Sequence, residues 1–131
     1  MIADHPERRP RSARLRWQRR FGDAADGLRL AILDQESLWV HAGVSLVVVA
    51  LGVWLELEPW RWCAVLLCIT MVISLELMNS AIERLVKTLH PEHDAGLAAA
   101  LHMAAAAVLV AALGAIVVGI VIFVPPLVRL W

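Results

Sequence analysis

Glu76, Asn79 and Glu83 stand three and four residues apart within Val72–Lys87, which reads VISLELMNSAIERLVK. On a helix those intervals put all three on one face. Two carboxylates and an amide on one stripe can accept a proton, hold a hard cation or orient a polar substrate. The stripe closes an apolar run that starts at Trp62, so Glu76 follows a long stretch of mostly apolar neighbours. An ionisable group in such a place costs roughly 2.5–3.5 kcal/mol on insertion scales, and a chain that bears the cost has a use for the group. Taken singly, Glu83 reads as a solvated residue at a helix end, Glu36 as a first-turn helix charge and Asn79 as interhelical glue. The functional case rests on their combination.

The elements that must position this stripe are apolar helices. Of the 131 residues 60% are apolar, with a mean hydropathy of +0.70, against about 45–50% apolar for a soluble domain. Three blocks are long enough to cross a bilayer: residues of about 38–55, 62–83 (running on to about Leu89) and 97–123. Residues 12–35 alternate apolar side chains with arginines and aspartates, as a helix lying in the headgroup plane does. Gly22 and Gly27 weaken that helix and allow two shorter pieces. Residues 1–11 read as a disordered basic arm and 12–131 as a single membrane domain. The fold class is therefore all-α integral membrane, an N-terminal amphipathic surface helix plus three transmembrane helices in an oligomeric bundle.

Glu56-Leu57-Glu58-Pro59 makes a tight acidic turn, with Trp54, Trp60 and Trp62 around it as interface anchors. Pro91 stops the second long helix, and Pro125-Pro126 end the third. Alanines and glycines crowd the third span and favour close helix approach. Eight of the twelve basic residues are arginines between Arg8 and Arg29, which beside transmembrane segments suits anionic lipid better than nucleic acid. Arg84 and Lys87 follow the second span, so the positive-inside rule puts the N-terminus and the residue 84–95 loop in the cytoplasm. Cys63 and Cys68 match neither a disulfide framework nor a zinc spacing and read as packing residues. His41 and His102 read as half-buried interface histidines.

The octet Glu76-Leu77-Met78-Asn79-Ser80-Ala81-Ile82-Glu83 resembles the signature of the prokaryotic diacylglycerol kinase family, the small integral membrane lipid kinases that include undecaprenol kinases. Gly27-Leu28, Glu36, the acidic turn and Ala105-Ala106-Ala107-Val108-Leu109 fall in register, so the resemblance runs from about Arg14 to Phe123. It implies transfer of the γ-phosphate of ATP, with Mg2+, onto the hydroxyl of a membrane lipid alcohol, diacylglycerol or undecaprenol. It also implies a homotrimer with sites between protomers, in the bacterial inner (plasma) membrane. Glu36 and Glu83 match the family's metal-binding carboxylates, Glu76 its candidate general base and Asn79 the amide beside it. Magnesium takes oxygen ligands, keeping one or two carboxylates plus phosphate oxygens, and a lipid hydroxyl needs a proton acceptor.

Three positions depart from the pattern. Leu101-His102 stand where the family has Lys-Asp, Lys87 where it has an acid, and Ala42 where it often has a glutamate. Phosphoryl transfer relies on cations that neutralise charge on the phosphate oxygens, and one such contact is worth about 2.7–4 kcal/mol. Two accounts follow. Either the charge has moved, with Lys87 or Arg84 reaching the phosphates and His102 taking part of the old acid's role, or the chain is a kinase-fold paralogue with weak or no turnover. Arg16 on the surface helix joins Arg84, Lys87 and His102 as phosphate-contact candidates. A different class, a small proton-coupled transporter using Glu76, predicts a carboxylate midway along a span with no companion Asn and Glu at the helix end.

Overall fold

The computed structural model describes residues 13–89 and 94–129, and all the elements within them are helices. Helix α1 spans Ala13–Asp34, α2 Glu36–Trp54, α3 Pro59–Leu89 and α4 Ala95–Val128. The last three are long and apolar enough to cross a membrane. The arm at residues 1–11 and the loop around Pro91 lie outside the described residues.

Helix α1 is one continuous helix through Gly22 and Gly27, not two pieces. Each glycine costs about 1 kcal/mol relative to alanine, too little to break a helix of 22 residues. Gln35 alone separates α1 from α2, with an extended backbone. Two of the carbonyls that α1 leaves open at its end find partners here. The Gln35 amide donates to the Ala31 carbonyl at 3.0 Å, and the Trp39 indole donates to the Ile32 carbonyl at 2.9 Å.

Between α2 and α3 the chain turns through a Schellman motif. The Leu57 amide donates to the Gly52 carbonyl and the Glu56 amide to that of Val53, both at 3.1 Å. The motif needs a left-handed residue after the helix, and Glu56 takes that role at φ 50°, where glycine would be free of strain. Gly52 faces the reversed chain. A Cβ there would lie 3.0 Å from Trp62 Cη2 and 3.2 Å from Leu57 Cδ1. Pro59 then opens α3, a first-turn position where its missing N–H costs nothing. The helix thus begins three residues before Trp62, where the apolar pattern alone puts it.

Helix α4 is capped by Asp94, whose carboxylate accepts the Leu97 amide at 2.9 Å. It does not stop at Pro125-Pro126, as the sequence suggests, but continues to Val128. A proline at position i cannot donate to the carbonyl at i−4, so Pro126 leaves the Ile122 carbonyl open. The guanidinium of Arg61 donates to that oxygen at 2.5 Å from across the bundle. An external donor thereby replaces the bond the proline removes. Around this latch lies the core cluster of Leu57, Val65, Ile122 and Phe123. Helices α3 and α4 share the most extensive contact and α2 leans on them more lightly; only Leu38 and Gly52 of α2 are buried. Cys63 and Cys68 are free thiols.

Candidate active site

Helix α3 has 31 residues, about 46 Å at 1.5 Å per residue, while a hydrocarbon core is about 30 Å thick. Its C-terminal turns, which carry Glu76 to Lys87, therefore run from the apolar interior toward a polar end. Glu76, Asn79 and Ser80 are the buried polar side chains among the described residues. Glu76 keeps only 4% of its surface exposed, and a carboxylate buried so deeply needs donors. Ser37 on α2 supplies one, its hydroxyl donating to Oε1. His41, one turn further along α2, stands with Nε2 3.8 Å from Oε2. The first turns of α2 thus address the carboxylate from across the helix pair.

The stripe continues down α3. The Asn79 side-chain amide donates to Glu83 Oε1 at 2.9 Å, and Lys87 Nζ lies 3.7 Å from Glu83 Oε2. Asn79 Oδ1 is buried without a hydrogen-bond partner among the described residues. Such an orphan acceptor costs about 1–3 kcal/mol, and in native folds each one calls for an explanation such as a bound water or ion. The expected face shared by Glu76, Asn79 and Glu83 is thus a chain of buried and half-buried polar groups.

The other candidates form no hydrogen bond or ion pair with this stripe among the described residues. Arg84 turns to α1, donating to Asp34 Oδ2 at 2.9 Å, and so ties the surface helix to α3. Glu36 opens α2 directly before Ser37; its side chain is exposed and enters no ion pair among the described residues. Arg16 and His102 are exposed, and Leu101 is half-buried on α4. No three His, Cys, Asp or Glu side chains among the described residues gather into a metal cage. The donors near Glu83, a carboxylate and an amide oxygen lacking a partner, are hard oxygens. They fit a magnesium held by few protein ligands and completed by phosphate oxygens and water.

Sequence reasoning missed Ser37 and read His41 as a half-buried interface histidine with no part in the site. The available signal was their i, i+4 spacing on α2 just after Glu36, which puts both on one face. What it lacked was the register of α2 against α3.

The model of the prokaryotic diacylglycerol kinase family matches residues 22–123. The chain belongs to that family. An undecaprenol kinase from Bacillus subtilis (strain 168) is 32% identical to it over 112 residues, which cover 86% of this chain and 91% of the relative. The match takes in α2, α3 and nearly all of α4, and so the whole Glu76–Glu83 stripe. A member of this family with three apolar helices of spanning length is a membrane protein of the lipid-kinase type.

Proposed function

We propose that this family member transfers the γ-phosphate of ATP to the hydroxyl of a membrane lipid alcohol at the cytoplasmic face of the bacterial inner membrane. The observation that carries the reading is the buried Glu76, held by Ser37 and followed on the same face by Asn79, Glu83 and Lys87. Glu76 accepts the lipid's proton and Asn79 orients the polar groups around it. Glu83 and Glu36 would hold magnesium, which when bound screens the charge of the phosphates. Lys87 supplies the cation that Leu101 lacks. Three-quarters of its side chain is exposed, so it can leave Glu83 for a phosphate oxygen. Arg84 is engaged with Asp34 and is the weaker candidate, as are the exposed His102 and Arg16. Undecaprenol, the substrate named for the relative, is the first lipid to offer, with diacylglycerol second; both present a primary alcohol.

The lightly covered apolar faces of α2 and α4 suit lipid or neighbouring copies, and the homotrimer that the family resemblance implies would use part of them, its neighbours contributing to each site. Membership of a lipid-kinase family, together with the companion Asn79 and Glu83, favours this account over a proton-coupled transporter. The test is transfer of radiolabelled phosphate from ATP to undecaprenol or diacylglycerol in mixed micelles. Turnover well above that of a Glu83→Gln variant is expected. Equality between the two, with either lipid, would end the kinase reading.

A further inference from the structure

The two oxygens of Glu76 have different surroundings. Ser37 donates to Oε1 and fixes the rotation of the carboxylate. Oε2 is left facing His41 Nε2 at 3.8 Å. That separation is too long for a direct hydrogen bond and too short for an atom in line between the two. An oxygen set off the line, about 2.8 Å from each, satisfies both. The pair is thus spaced to share one hydroxyl. His41 also borders a cavity of about 550 Å³ between α2, α3 and α4, whose other walls include Val44, Val48, Ile69, Ala115 and Phe123. The hydroxyl on that wall, of Ser45, already donates to the His41 carbonyl at 2.7 Å. Among the wall residues His41 alone has a side chain that joins the apolar space to the buried carboxylate.

We propose that Ser37 positions Glu76, and that His41 and Glu76 Oε2 together bind the hydroxyl of a lipid alcohol whose hydrocarbon tail occupies this cavity. The proposal rests on the lipid-kinase reading and adds where the alcohol binds. The His41 N–H donates to the hydroxyl oxygen, and the hydroxyl donates its proton toward Oε2. The remaining lone pair of the oxygen attacks the γ-phosphorus of ATP. A bond forms between lipid oxygen and phosphorus. The bond from that phosphorus to the bridging oxygen breaks, its electron pair leaving with ADP, and the hydroxyl proton ends on Glu76 before passing to water. Held from two sides, the alcohol presents a fixed lone pair. Its tail replaces apolar surface that no side chain of this protomer covers.

Binding separates this proposal from turnover. Thermal stabilisation of the full-length protein in detergent is titrated with farnesol and with the hydrocarbon of the same chain. Wild-type protein should prefer the alcohol. His41→Leu should lose about tenfold in apparent affinity for farnesol while keeping its affinity for the hydrocarbon, and His41→Gln, which retains a donor, should recover part of the loss. Ser37→Ala should reduce the preference and Ser37→Thr restore it, which a merely structural role would not do. Ala115→Trp should weaken both ligands together. An alcohol preference missing from wild-type protein, or unchanged in His41→Leu, overturns the proposal. So does an Ala115→Trp variant that binds both lipids normally but changes subunit number, since a second copy's helix would then fill the cavity. Should wild-type protein prefer farnesol without phosphorylating any lipid, the kinase reading fails while the hydroxyl site stands.

Discussion

The two ends of the bundle are built on opposite terms. At the turn end Gly52, Leu57, Trp62 and Phe123 close against one another, and Arg61 answers the carbonyl that Pro126 leaves open. At the other end a carboxylate is buried with one hydroxyl donor and an amide oxygen lacks a partner. The turn end answers its open carbonyl, with Arg61 Nε held 3.5 Å from Glu58 Oε2 and not hydrogen-bonded, and the other end leaves an acceptor over. Local stability varies across proteins in this way, with binding regions drawn from the less stable part. Substitutions at the turn end should therefore change stability and spare chemistry, and those at the Glu76 end should do the reverse.

The largest effect is expected from Glu76→Gln. Its amide carbonyl still accepts from Ser37, so the thermal midpoint should hold, while phosphate transfer falls by about a hundred- to ten-thousand-fold with loss of the proton acceptor. Lys87→Met comes next. Removing the cation paired with Glu83 should lower turnover by about a hundred- to a thousand-fold, read from initial rates with ATP varied. A normal rate would break the claim that charge has moved from the Leu101 position to this helix.

Stability changes are smaller and belong to the other end. Arg61→Leu strips the Ile122 carbonyl of its donor and should cost about 1–3 kcal/mol, seen as a lower thermal midpoint in detergent with kcat preserved in the surviving fraction. Glu56→Gly should move the midpoint the other way, by about 1 kcal/mol, since it removes a left-handed side-chain residue from the turn. Loss of activity in either variant at full stability would blur the division between the ends.

The sequence shows the stripe end of this contrast more readily than the turn end. Glu76, Asn79 and Glu83 lie on one helix, so their shared face follows from spacing alone. The three apolar blocks likewise announce their helices. Ser37 could not be matched to Glu76 in this way, because the pairing depends on how far α2 slides along α3, a quantity set by packing at the distant turn. The continuation of α4 through two prolines was hidden for a related reason. A local rule says that proline ends a helix, and only the approach of Arg61 from a position 61 residues earlier supplies the missing donor. The Arg84–Asp34 pair, too, joins segments that no periodicity connects.

That pair has an implication for handling the protein. Helix α1 is joined to the rest through a single extended residue, one indole bond and a solvent-exposed charge contact. Exposed ion pairs weaken as the Debye length shrinks from about 10 Å at 0.1 M salt to about 3 Å at 1 M. Concentrated electrolyte should thus unfasten the amphipathic segment from the trio of apolar helices without unfolding them, and faster amide exchange confined to residues 13–34 would register the release.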